Sequence, residues 1–159
     1  MKPLNGVLKM PSFDPAFLER NKAAIKQASP LLDQISQAWD EIEEFFKSQG
    51  ILRGTWLCFD SIFSGAHAQP PIGEELIGIQ KIKGAWRICI GELIYADPED
   101  DPNWKPIGEA PTHLRISLLD HVHPLFEELV RSNEEYVKDI EIAAKKSQAV
   151  LTDLNLAGL

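Results

Sequence analysis

The stretch LIGIQKIKGAWRICIGELIY, residues 76–95, decides the fold. Its two halves, 76–82 and 85–95, are rich in β-branched and aromatic residues, and Lys83-Gly84 between them places a glycine where a tight hairpin turn needs positive φ. In the second half Trp86, Ile88, Ile90 and Ile94 alternate with Arg87, Cys89, Gly91 and Leu93. Only the first of those faces is consistently apolar, the pattern of an antiparallel sheet covered on one side. Gly78 and Gly91 fall inside the strands, where a missing side chain signals a bulge or the close approach of a helix.

Upstream, Trp56-Leu57-Cys58-Phe59 and Ile62-Phe63 predict a further strand at 55–63, and Gly65, Pro70, Pro71 and Gly73 make 64–75 a loop. The three strands form an antiparallel β-meander. Downstream, Pro98, Pro102, Pro106 and Pro111 punctuate residues 97–111 so closely that no regular structure is expected there.

Helices flank the meander on both sides. Asp14 followed by Pro15 supplies a capping carboxylate and a proline at the first helical position, predicting a helix over 15–28. Ser29-Pro30 repeats the signal, and Leu32, Ile35, Trp39, Ile42 and Phe46 then recur at helical spacing, predicting a second helix over 30–48 that stops at Gly50. The stripe keeps its phase back through Ala28 and Ile25, so one helix kinked at Pro30 is the alternative. Two heptads are short for a free coiled coil, which assigns the stripe around Trp39 to burial on the protein's own sheet.

After the connection, apolar positions from Leu114 to Leu154 predict helices over 113–131 and 133–155. The division is placed at Ser132-Asn133-Glu134-Glu135, which matches a capping box. A continuous helix from Pro124 to Asn155 would be roughly 48 Å long against a globule about 40 Å across, so it must break or project onto a second subunit. The fold class is therefore α+β: N-terminal helices, a three-stranded antiparallel β-meander and two C-terminal helices, in a single domain 1–159 with residues 1–13 extended.

Composition narrows the function. With 44% apolar and 25% charged residues the chain has globular rather than disordered composition. Cys58 and Cys89 lie in apolar runs and read as small buried hydrophobes in a reducing compartment, with a disulfide between them as the lesser alternative. Residues 1–11 lack the basic start and apolar stretch of a signal peptide, and no run of about 18 apolar residues occurs, so the expected location is the cytoplasm, away from membranes. A net charge of −8 argues against nucleic acid, which requires clustered Lys and Arg. Half of that excess, −4, sits in residues 97–111.

Within that loop Asp97, Glu99, Asp100 and Asp101 surround Trp104, a combination suited to docking on a basic protein partner, with charge accelerating encounter. The bland counterpart is a solvated loop whose tryptophan anchors it to the core. Asp97, Glu99, Asp101 and Asn103 also alternate like calcium ligands, but Pro102 and Gly108 stand where a helix-loop-helix calcium site needs glycine and a bidentate Glu.

A second cluster is Asp120-His121-Val122-His123 with Glu127 one turn beyond His123, a ligand set adequate for zinc or iron. His121 and His123 point about 200° apart around a helix, so only one of them can serve such a site. Phosphate-binding, dinucleotide-binding and nucleophile-elbow patterns are absent from the sequence, which leaves no catalytic assignment and no expected cofactor. The functional expectation is a non-enzymatic binding or regulatory protein acting by protein–protein contact, with a homodimer through the long helices as one form of it. The alternatives are an acidic inhibitor or immunity protein against a basic partner such as a nuclease, and a metal-dependent or small-ligand enzyme using His121 or His123 with Glu127.

Overall fold

The computed structural model describes residues 12–65, 69–96 and 101–158. The hairpin forms as its turn dictates: strands β2 (Gly73–Ile82) and β3 (Ala85–Ile94) pair antiparallel in unbroken register around Lys83 and Gly84, at φ 49° and 84°. Two successive positive-φ residues match the right-handed twist of the flanking strands. β1 (Thr55–Ile62) pairs with the other edge of β2.

The architecture is α+β, with a fourth strand that the meander prediction lacks. β4 is only Lys105–Pro106, which pairs with Cys89 and Ile90 of β3 and runs into a 3-10 turn at Ile107–Glu109. The expectation of no regular structure over 97–111 is corrected to this extent. Prolines keep the strand short without forbidding it, because at a sheet edge the amide that Pro106 lacks has no partner to lose.

The register puts Leu57, Ile77, Ile79, Ile88 and Ile90 on one face. Ile77, Ile79 and Ile88 are fully buried there against Trp39, Phe46, Leu118, Leu125 and Leu129 from the helices. Each such side chain contributes roughly 1.5–3 kcal/mol of burial free energy.

The N-terminal helix is α1 (Pro15–Gln49), one unbroken element of 35 residues, so the division into 15–28 and 30–48 is corrected. Asp14 caps it by accepting the Ala16 amide at 2.9 Å, and Gly50 at φ 93° ends it. Pro30 removes one N–H that would bond the carbonyl of Lys26, but both residues are exposed, so that carbonyl is not left in an apolar interior and the apolar phase carries the helix through. The stripe is buried only from Ile35 onward. Trp39 and Phe46 enter the core, and the Trp39 indole N–H donates to the Arg115 carbonyl at 3.1 Å.

The segment predicted as helix 113–131 is divided early. α2 (Thr112–Ser117) passes through a 3-10 turn at Leu118–His121 into α3 (Val122–Leu156), again 35 residues. Pro124 is the third residue of α3, where its missing N–H costs nothing, so it opens a helix rather than interrupting one.

The break expected at Ser132 does not occur. Ser132 is buried and its Oγ accepts from Arg53 Nε at 3.1 Å, while Glu135 pairs with Arg53 and Arg131 instead of folding back on a cap. The capping-box residues are used in tertiary contacts. Asn133 adds two more, accepting from the Leu52 amide and donating to the Gly50 carbonyl.

The opposite face of the sheet has its own cover. A Cβ built on Gly91 would stand 2.7 Å from Cε3 of Trp104, and one on Gly78 would stand 3.0 Å from its Cη2. The two glycines are therefore slots for an indole, not bulges or helix contacts; the one irregularity of the β1–β2 ladder lies between Cys58 and Asp60. Trp56 completes the layer, its ring centroid 6.2 Å from that of Trp104. Cys89 and Leu76 are fully buried on this face, but Cys58 on edge strand β1 is exposed, which corrects its assignment as a buried residue. Both thiols are free.

Gly91→Ala should therefore lower stability by about 1–3 kcal/mol through overpacking against Trp104. Gly108→Ala, where no atom of the described residues lies within 4 Å of the added methyl, should leave it nearly unchanged. Urea unfolding followed by tryptophan fluorescence distinguishes the two.

Candidate functional site

The part of the acidic loop from Asp101 onward is tethered rather than free. Trp104, at its C-terminal side, lies half-buried across Gly78 and Gly91, so it serves as the anchor of the connection to the sheet. Asp101 is exposed, and Asp97, Glu99 and Asp100 lie outside the described residues.

His121 and His123 separate as their spacing requires. The His121 ring packs edge-on to Phe59 at 6.0 Å between centroids, and its buried Nδ1 has no hydrogen-bond partner among the described residues. His123 and Glu127 share the exposed side of the first turns of α3. Among the described residues no three His, Cys, Asp or Glu side chains come together as a metal site. Cys89 is held as a thiol, its pKa pushed up by burial to about 12.

The meander assembles a pocket that the sequence reading missed. Asp60 of β1 faces Glu75 of β2, which in turn faces Glu92 of β3, forming a row of three carboxylates across three strands. Glu75 and Glu92 line a cavity of about 330 Å³ together with Phe59, Asn103, Lys105 and His113. Burial foremost, then the charges of Asp60 and Glu92, raise the pKa of Glu75 above its ordinary value of 4.5. Facing like charges at cross-strand distance repel, and a cationic group entering the pocket would relieve that repulsion.

The signal for this row was present. The Lys83-Gly84 turn fixes the pairing of β2 with β3, which sets Glu75 opposite Glu92 and places both in line with the isoleucines of the apolar face. Two acids interrupting an apolar face at matching register are a readable anomaly.

A second missed feature lies between the helices. Ala38, Ile42, Phe45, Phe46, Val122 and Phe126 line an apolar groove of about 540 Å³ on the outer side of α1 and α3. Phe45 is half exposed there, with its ring 5.6 Å from that of Phe126. Beyond the globule the apolar residues continue. Every residue from 12 to 34 is exposed, as is every one from 137 to 158. These two arms carry Phe17, Leu18, Ile25, Leu31 and Leu32 on α1, and Val137, Ile140, Val150, Leu151 and Leu154 on α3.

Compared with known protein families, curated proteins and solved structures, the chain matches none.

Because the pKa of Glu75 is raised in the folded state, the native protein holds a proton there that the unfolded chain has released. That stability is present below pH 4.5 and is lost as pH rises through the higher folded value. Glu75→Gln should remove this loss, so that the variant exceeds the parent in stability at neutral pH and the difference closes in acid. Denaturant midpoints measured at several pH values check it.

Proposed function

We propose that this is a non-enzymatic binding or regulatory protein of the cytoplasm that acts by protein–protein contact through its two long helices. The observation that carries this reading is the pair of helical arms. An apolar stripe on an uncovered helix is unusual, because helices in water draw most of their stability from packing that face. Exposed apolar surface of this extent marks contact with another chain. Among the described residues no helix is long and apolar enough to cross a membrane, which favours a protein partner over a bilayer core.

The other readings draw less support. An inhibitor presenting its acidic loop to a basic partner would use Trp104 as a free anchor, and Trp104 is committed to the sheet. The metal-dependent alternative has His123 and Glu127 side by side but no third ligand among the described residues.

The test is photocrosslinking in the protein's own host cell, with a photoreactive phenylalanine at Ile25 or Leu151. Crosslinks from these positions to protein chains are expected, and none from the exposed residue Lys83 in the hairpin turn. Arm positions that crosslink no more than Lys83 would remove the proposal.

A further inference from the structure

We infer that the chain covering both arms is a second copy of this protein, laid antiparallel against the helical layer so that each α1 arm packs along the partner's α3 arm. This rests on the contact reading above and names its partner.

The first argument is continuity. On α1, Phe17, Ala24, Leu31, Ala38 and Phe45 form one row at seven-residue spacing. The row begins on the arm and ends in the groove between α1 and α3, where Ala38 and Phe45 are lining residues. A partner that lies on the arm is carried directly over the groove. Pro30 projects from the far side of the helix, about 160° from the centre of the stripe, so it does not obstruct such packing.

The second argument is direction. Ile42 and Val122 line the same groove, Phe46 meets Phe126 at 5.4 Å between centroids, and Gly50 meets Asn133. Residue numbers rise together along both helices, so α1 and α3 run in the same sense and their arms leave opposite ends of the globule. Pairing α1 with α1 and α3 with α3 would leave a sticky end at each stage and build an endless chain. A two-fold axis across the helical layer instead brings each α1 arm beside a partner α3 arm, and two copies cover every arm.

The third argument is fit. Antiparallel alignment of the arms sets Leu18 beside Leu154, Ala28 beside Ala144 and Leu32 beside Ile140. In the adjacent row large residues meet small ones, Ala24 with Val150 and Leu31 with Ala143, as interdigitated layers require.

Charge and area agree with this. The chain carries −8, yet residues 15–34 carry +1 and residues 137–156 carry 0, so the arms can approach a second copy without net repulsion. Each arm offers a stripe about 30 Å long and about 10 Å wide, giving roughly 1,200 Å² over two copies before the groove is counted, the lower bound of a stable interface.

The experiment uses the full chain. Sedimentation velocity at micromolar concentration should give twice the chain mass of 17.8 kDa. In a Cys58→Ser background, Leu32→Cys and Ile140→Cys proteins mixed and oxidised should form the mixed 32–140 disulfide in preference to either symmetric one. Leu151→Glu should weaken the dimer at least about tenfold, with the urea midpoint of the globular core unchanged. A monomer at all concentrations, or a dimer joined mainly through 140–140 or 32–32, overturns the inference. If the protein is monomeric while the arms crosslink to a different chain in cells, this inference fails and the contact reading stands.

Discussion

A helix rises 1.5 Å per residue and a strand about 3.3 Å, so a ten-residue strand of roughly 33 Å can cover only about 22 residues of a helix laid along it. The longest strands here have 10 residues and the two long helices have 35 each. That mismatch governs the molecule. The sheet buries the stretch of α1 that holds Trp39 and Phe46 and the stretch of α3 that holds Leu125, Leu129 and Ser132, and it reaches no further. Because α1 and α3 run in the same sense, the surplus of one leaves by the end where the other begins, and the globule carries an arm at each end.

Where the sheet does reach, both of its faces are filled by different means. Aliphatic side chains and helices cover one face. The other is covered by two indoles, and Gly78 and Gly91 leave the space that lets Trp104 lie flat. The same indole ties down the connection that follows the meander, so the acidic loop is fastened at its C-terminal side to the strands that also carry Glu75 and Glu92. Three carboxylates in register occupy ground that further isoleucines could have filled, and Glu75 is destabilised there as an ion. A group that weakens the fold at neutral pH invites a role that is not structural.

The hairpin was legible because Lys83-Gly84 leaves one pairing for the strands on either side. Element types followed from periodicity, but three boundaries did not, for related reasons. Ser29-Pro30, Pro124 and Ser132 each carry a local start or stop signal, and exposure, a place in the first turn of a helix and a tertiary partner respectively removed its force. The carbonyl left by Pro30 lies on an exposed turn, the first turn of α3 has no amide for Pro124 to miss, and Arg53 claims Ser132. The metal pairing of His123 and Glu127 was legible as one face of a helix, whereas the row Asp60–Glu75–Glu92 spans residues far apart in sequence and required the register as well as the pattern. Cys58 was misplaced because its neighbours Leu57 and Phe59 make an apolar run, while its place on the edge strand β1 leaves it exposed.

Glu43 has a consequence for how this protein can associate. Its carboxylate accepts the Arg87 Nε–H at 2.8 Å and the Ile88 backbone amide at 2.9 Å, taking a main-chain donor that β3 would otherwise offer beyond the reach of β4. At the opposite margin, the irregularity between Cys58 and Asp60 interrupts the ladder of β1 and Asp60 puts a charge beside it. Among the described residues neither margin of the sheet offers a long, even row of hydrogen-bonding groups to an incoming strand. Strand addition is disfavoured at both sides, and the long apolar surfaces lie on the helices instead.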